Sequence, residues 1–258
     1  MKRYKTAVIL AGGYGSRMGK LTSQKPKTLI NIMGKPILWY ILNELLRNNF
    51  DKIIITLGYK GQKIKQYVKS NFISNLGKIE MIDTGEKSSI SKRIFKIKNL
   101  IESNYFFLLN GDSIFKINYK KNEDYLYKQK LKALFFSYQM IANYGVFKFD
   151  NKNNILQFGK NLFYNKLITN KKNYFLPYIG MAILNRLHLD DINFKNYKEF
   201  ELSFFNKILK KNKVGVKQVD HFWICFDNQK DINIALKKNS IINDEIKKLK
   251  KTYSRLKK

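Results

Sequence analysis

The chain has one cysteine, two histidines and 19 acidic residues set against 50 basic ones in 258 positions. A lone Cys225 excludes an internal disulfide and fits a reducing compartment, so a cytoplasmic location is expected. Only His188 and His221 are available for proton transfer, which is awkward for a Ser/His hydrolase. No stretch approaches ~20 uncharged apolar residues, so no membrane-spanning helix is expected. The basic start, Met1-Lys2-Arg3-Tyr4-Lys5, resembles the head of a signal peptide. However, the apolar run behind it is short, ends in Gly12-Gly13 and has no small-residue cleavage pattern, so it reads as a first buried strand.

Hydrophobic residues make up 44% of the chain and aromatics 14%, enough for an ordered globular core in place of disorder. The formal net charge of +31 would attract nucleic acids, anionic membranes and phosphorylated metabolites alike. The positives are scattered along the sequence and no aromatic-basic recognition motif accompanies them. Most of the surplus therefore reads as solvated surface, and nucleic acid is not an expected partner.

In the first half, predicted strands alternate with predicted helices. Residues 6–11 (TAVILA), 52–57 (KIIITL), 79–82 and 105–109 (YFFLL) are strand-like runs. Residues 36–47, 61–72 and 91–102 have helical spacing, the first opening on Pro36. This order implies an α/β fold with a mostly parallel, Rossmann-like central sheet and helices on both faces. Right-handed crossovers would bring the strand ends, and with them the loops at 12–27, 83–90 and 110–113, to one edge where such sheets bind ligands. The second half reads as a smaller β-rich subregion: strands at 133–139, 144–149, 155–158, 178–184 and 214–219, a helix near 199–211, and a strand at 223–226 that delivers Asp227. The lysine-rich end is expected to be helical and partly exposed. The expected organisation is a single domain with a first half (1–115), a second half (116–240) and a basic C-terminal tail (241–258).

The most informative segment is Leu10-Ala11-Gly12-Gly13-Tyr14-Gly15-Ser16-Arg17-Met18, followed by Lys25-Pro26-Lys27. Three glycines after a buried strand let backbone N–H groups approach a polyphosphate, and Arg17 and Lys27 are cations suited to one. Two familiar loops fail on spacing. A Walker A loop ending at Gly19-Lys20 would need glycine where Tyr14 stands and a hydroxyl where Leu21 stands. A dinucleotide fingerprint from Gly13 would need glycine at Met18. Asp112, after Gly111 at a strand end, and Asp227 are two carboxylates from distant parts of the chain that could meet beside this loop and hold Mg²⁺. Taken alone, Asp112 would read as a turn aspartate, and Asp227 as the cap of the helix that follows. His221 reads as packed or superficial and Cys225 as core.

Here the chain resembles the sugar-phosphate nucleotidyltransferases, and among them the glucose-1-phosphate cytidylyltransferases. The likeness rests on LAGGYGSRM…KPKTLINIMGKPILWYIL, Leu57-Gly58-Tyr59-Lys60-Gly61, Asp83-Thr84-Gly85 with Arg93, Gly111-Asp112, and Trp223 with Asp227. It is dense to about residue 115 and thin afterwards.

The resemblance implies the nucleotidyltransferase, glycosyltransferase-A-like form of the fold. The implied reaction moves a nucleoside monophosphate, CMP from CTP, onto a phosphorylated acceptor such as a sugar 1-phosphate, with Mg²⁺ as cofactor. The product would feed surface polysaccharide such as capsule or lipopolysaccharide. It assigns Leu10, Ala11, Gly12, Gly13, Tyr14, Gly15, Ser16, Arg17, Lys27, Ser88, Arg93 and Gly111 to the nucleotide. Arg17, Lys27 and Asp112 become catalytic, Asp112 and Asp227 metal ligands, and Lys160 and Gly180 acceptor contacts.

Two family features differ. The Glu-Lys-Pro that grips the acceptor falls at Phe158-Gly159-Lys160-Asn161, and the Asn-Gly-Gly turn at Tyr178-Ile179-Gly180. Groups that hydrogen-bond sugar hydroxyls are therefore missing, which opens the acceptor to phosphocholine or a phosphorylated amino acid, and the chain to a nucleotide-sensing role without turnover. A homo-oligomer is left open.

Overall fold

The computed structural model describes residues 5–141, 146–149, 155–159, 163–164, 167–168, 174–190, 200–211, 213–238 and 240–255. Its main strands are β1 (Thr6–Leu10), β2 (Lys52–Leu57), β3 (Ile79–Asp83), β4 (Tyr105–Asn110), β5 (Ser113–Lys116), β6 (Ala133–Ser137), β7 (Tyr178–Asn185), β8 (Val214–Gln218) and β9 (Phe222–Cys225). The helices are α1 (Ile37–Arg47), α2 (Gly61–Asn71), α3 (Ile90–Ile97), α4 (Tyr119–Lys128), α5 (Phe200–Lys211), α6 (Gln229–Leu236) and α7 (Ile241–Arg255).

Seven strands form one sheet in the order β8-β6-β7-β4-β1-β2-β3. All neighbours pair in parallel except β7, which runs antiparallel to both β4 and β6. The mostly parallel sheet expected from the strand–helix alternation is therefore present. Its strands are apolar throughout because both faces are covered. Successive residues alternate between two cores. Ala7, Ile9, Ile53, Ile55, Phe107 and Leu109 join the core under α1, α2, α6 and α7. Val8, Ile54, Phe106 and Leu108 join the core under α3 and α5.

The chain runs outward from β1 through β2 to β3, then crosses back to add β4 on the other side of β1. The strand order thus reverses between β1 and β4, and a crevice opens at their carboxyl ends. Beyond β4, Gly111 and Asp112 turn the chain into β5, which pairs antiparallel with β9 in the register Cys225↔Ser113. That pairing carries Asp227, two residues past β9, to the same edge.

Some boundaries differ from the sequence reading. Pro36 precedes α1 in an extended conformation (φ −61°, ψ 151°), as part of a small hairpin between Asn31–Ile32 and Lys35–Pro36. The helix expected over 91–102 ends at Ile97, and a tight turn at Lys98–Leu100 still delivers Ile101 to the core. The lysine-rich end is a docked helix. Ile242, Ile246, Leu249 and Tyr253 recur on one face of α7 and are buried, leaving its lysines on the other. The Tyr253 hydroxyl donates to Glu44 of α1, a carboxylate with a side chain only 1% exposed. Glu44 also accepts from the Ile117 amide at 2.9 Å, so one buried acid ties three segments together. No helix among the described residues is long and apolar enough to cross a membrane.

Candidate active site

The β1–β4 crevice is a cleft of about 640 Å³ lined by the loop from Leu10 to Arg17, by Lys27 and Thr28, by 86–90 with Arg93, by Asn110–Asp112 and by Asp227. The structure therefore brings together every proposed nucleotide and metal residue. Ser89 caps and Ile90 opens α3, whose amino end favours an anion, while the Ser88 amide before it is bonded to the Gly85 carbonyl at 3.2 Å.

The glycine loop is held from outside. The Ala11 amide donates to Thr56 at 3.2 Å, and the Gly111 amide to Leu10 at 3.1 Å. Gly15 takes a left-handed conformation (φ 64°) that starts two short turns over Ser16–Thr22, and the Thr22 hydroxyl bonds back to the Gly15 carbonyl at 3.2 Å. Among the described residues, the N–H groups of Gly13, Tyr14, Gly15 and Ser16 donate to no protein acceptor. They are open to an anion in the cleft, as a nest requires.

At the centre, Lys27 Nζ lies 2.7 Å from Asp112 Oδ2 and 2.7 Å from Asp227 Oδ1. Arg17 Nη1 reaches Asp227 Oδ2 at 3.0 Å. Burial opposes the charge on Lys27, yet Asp112 and the hydrogen bonds to both carboxylates hold its ammonium above the usual range. Burial likewise opposes ionisation of Asp227, but Lys27 and Arg17 outweigh it and hold the carboxyl below its usual value. The neighbouring cap is also resolved: Asn228, not Asp227, caps α6 through a capping box with Asp231, which leaves the Asp227 side chain free to face the cleft.

The donors suit a hard divalent ion. Carboxylate oxygens of Asp112 and Asp227 lie with the Cys225 sulfur within 4.8 Å of one another. Burial, together with both aspartates, pushes the Cys225 thiol up, and a hard ion such as Mg²⁺ prefers oxygen, so the two carboxylates are the donors that suit it.

Arg93 is placed differently from a simple nucleotide contact. Its side chain is buried between Gly12 and Gly58, and a Cβ added at either glycine would lie 2.0 Å or 2.5 Å from Nη1. The guanidinium donates to Leu57 O (2.9 Å), Thr84 Oγ1 (2.7 Å), Gly12 O (2.9 Å) and Glu86 O (3.1 Å). Ser88 is also engaged, donating its hydroxyl to the Thr84 carbonyl. Gly180 (φ 72°) sits opposite Asn110, where a Cβ would approach Nδ2 to 2.4 Å, so it makes room for an amide that lines the cleft. Lys160 lies outside the described residues.

Several lining residues were not singled out from sequence: Thr28, Glu86, Lys87 and Asn110. Asn110 had a usable signal, since it ends an apolar strand directly before Gly111-Asp112. Glu201 of α5 was also missed. Burial first, and Asp112 second, raise its carboxyl above the usual range.

An open α/β sheet with a switch-point crevice, a loop of open N–H groups, two carboxylates and two cations is an arrangement suited to a phosphorylated ligand. The chain belongs to the nucleotidyl transferase family, whose family model matches residues 6–160. It is 37% identical over 131 residues to the probable glucose-1-phosphate cytidylyltransferase of Bacillus subtilis (strain 168), covering 43% of this chain and 52% of that protein. It is 32% identical over 151 residues to the bifunctional protein GlmU of Methanocaldococcus jannaschii, covering 58% of this chain and 34% of that one. The chain thus spans about half or less of the length of these curated relatives. Among solved structures, a putative glucose-1-phosphate thymidylyltransferase from Bacillus anthracis, in complex with a sucrose, superposes with a TM-score of 0.70 at 17% identity. That match covers 93% of this chain and 96% of that one. HddC from Yersinia pseudotuberculosis complexed with GMP-PN superposes at 0.67 with 23% identity, covering 92% and 100%. These two likenesses establish the fold.

Proposed function

We propose that the chain transfers a nucleoside monophosphate, CMP from CTP, to a sugar 1-phosphate or a similar phosphorylated acceptor, with release of pyrophosphate. The observation that carries this reading is the meeting of Lys27, Asp112 and Asp227 beside the open N–H groups of the glycine loop. An acceptor phosphate oxygen, already anionic at neutral pH, forms a bond to the α-phosphorus. The bond from that phosphorus to the bridging oxygen breaks, and pyrophosphate leaves with the electron pair. No proton has to be removed, so the step needs no general base. The chain's own task is then to fix the two phosphates in line and to counter the growing negative charge. The loop amides, Arg17 and Lys27 are placed for that. Asp112 and Asp227 would hold Mg²⁺, which would supply further charge neutralisation on the phosphates.

A second cavity of about 480 Å³ adjoins the first through Asp227 and is the acceptor's place in this reading. Residues Phe222–Cys225 of β9 and Asp227 beyond it line this cavity, with Phe222 and Ile224 buried and Trp223 and Cys225 partly exposed. Tyr138 adds a second ring 6.1 Å from Trp223. Trp223 Nε1 is buried and has no partner, a donor for a ligand oxygen. Two aromatic faces suit a sugar ring or an organic cation.

The test is pyrophosphate release with Mg²⁺, each of the four nucleoside triphosphates, and a panel of sugar 1-phosphates, phosphocholine and phosphorylated amino acids. All four donors belong in it because the similar proteins are named for cytidylyl and thymidylyl transfer, and HddC is complexed with GMP-PN. Asp112→Ala and Lys27→Ala are expected to cut turnover at least a hundredfold while leaving a folded protein. Full activity in both variants would remove the site assignment. Tight nucleotide binding without turnover on any acceptor would replace the reading with a nucleotide-sensing one.

A further inference from the structure

Lys27 stands where a divalent ion would have to bind. Its ammonium bridges Asp112 Oδ2 and Asp227 Oδ1 at 2.7 Å each, and Arg17 takes the other Asp227 oxygen at 3.0 Å. Two carboxylates are thus matched by two cations before any ligand arrives. An ammonium and a metal ion cannot share these oxygens at such distances, and their like charges repel strongly in a partly buried site. Lys27 and Asp112 side chains are 14% and 24% exposed, so solvent screens that pair least, whereas Asp227 at 40% and Arg17 at 77% are open to it.

Lys27 also borders the phosphate cleft. A Cβ built on Gly15 would lie 3.1 Å from Lys27 Cβ, which puts the base of the lysine against the nest. Rotation about the side-chain bonds can carry the ammonium from the carboxylates to a phosphate in the cleft without moving the backbone. A triphosphate would give the lysine a new partner and release Asp112 Oδ2 and Asp227 Oδ1 together, with Arg17 still on the other Asp227 oxygen.

We propose that Lys27 is a resident counter-ion that excludes free divalent cations from Asp112 and Asp227 and yields the site only when a triphosphate draws its ammonium away. Metal binding is then conditional on nucleotide, and the two ligands bind with positive coupling. The inference rests on the nucleotidyl-transfer reading of the site and adds an order of events to it.

Mn²⁺ binding to the nucleotide-free protein, followed by the loss of the free-ion electron paramagnetic resonance signal, tests this directly. Wild-type protein is expected to bind Mn²⁺ weakly. Lys27→Met is expected to bind it at least tenfold more tightly, and Lys27→Met combined with Asp112→Asn to lose that gain. Lys27→Gln serves as a second variant, and thermal melts confirm that each is folded. Equal Mn²⁺ affinity in wild type and Lys27→Met overturns the counter-ion role, and so does failure of every Lys27 variant to bind Mn²⁺. Pyrophosphate release by the wild-type protein is measured in parallel. Its presence alongside either negative result leaves the transferase reading standing, whereas its absence from the whole donor and acceptor panel removes that reading separately.

Discussion

Replacing Arg93 separates a residue that touches the nucleotide from one that builds the place where it binds. The guanidinium satisfies acceptors on four segments: the Gly12 loop, the end of β2, Thr84 after β3, and Glu86. Hydrogen bonds from a charged donor are worth roughly 1.5–3 kcal/mol each, and buried acceptors left alone cost about 1–3 kcal/mol. Water entering the vacated space would recover some of this, and the buried guanidinium carries its own desolvation cost. A net loss of about 3–5 kcal/mol is expected for Arg93→Ala, a large share of the ~5–15 kcal/mol that keeps a typical domain folded. Urea unfolding measures it, and isothermal titration with CTP measures the companion effect. Stability and nucleotide affinity should fall together. Arg93→Lys should recover less than half of either, because one ammonium cannot span four acceptors. Wild-type unfolding with nucleotide affinity alone impaired would refute the reasoning and return Arg93 to direct contact.

Two other perturbations probe the frame and the second cavity. Burial raises the Glu44 carboxyl above its ordinary value near 4.5, against the pull of Tyr253, Ile117, Arg47 and Asn48. A raised folded value means the folded protein binds the extra proton, so this group's stabilising share is complete below pH ~4.5 and is lost as pH climbs through the raised value. The wild-type minus Glu44→Gln difference in unfolding free energy should therefore decline over that window, and a pH-independent difference would contradict it. At the β9 cavity, Trp223→Ala is expected to raise the acceptor KM about tenfold or more with CTP affinity unchanged, read by steady-state kinetics with each substrate varied. An unchanged acceptor KM would place the acceptor elsewhere.

Much of this was legible in the sequence because it rests on local pattern. Apolar runs at β1, β2 and β4 each end in a glycine or an Asn-Gly-Asp, and strand–helix alternation orients those ends to one edge. That is enough to bring Gly12, Asp112 and Asp227 together across 215 sequence positions. What escaped depends on partners that spacing does not name. Arg93 reads as a cation ten residues after Asp83; only the fold shows it buried between two glycines. Glu44 reads as a polar position on α1, yet it lies under α7, whose lysine-rich sequence disguises an apolar face. Asp227 and Asn228 are both good caps by type, and the Asp231 carboxylate accepts from both their amides; the choice is made by the Asn228 side chain, whose Oδ1 accepts from the Asp231 amide at 3.2 Å.

The same geometry explains how a chain with a charge of +31 can hold a discriminating anion site. The cleft is lined by Arg17, Lys27, Lys87 and Arg93 against Glu86, Asp112 and Asp227, so little of the surplus is found there. Lys27 and Arg17 are already matched to carboxylates in the ligand-free state. Lys87 makes no ion pair among the described residues, and Arg93 is buried without one. Among the described residues the hydrogen bonds of the Arg93 guanidinium go to neutral oxygens, with Asp83 acting on it only at longer range. A full positive charge is therefore fixed beneath the glycine loop, shielded from salt by burial, while the loop's N–H groups face the other way. A scattered lysine attracts any polyanion. A buried guanidinium clamped between Gly12 and Gly58 holds its charge at one fixed place beside the cleft, so under the proposed function its field adds to that of the loop amides on an anion small enough to enter.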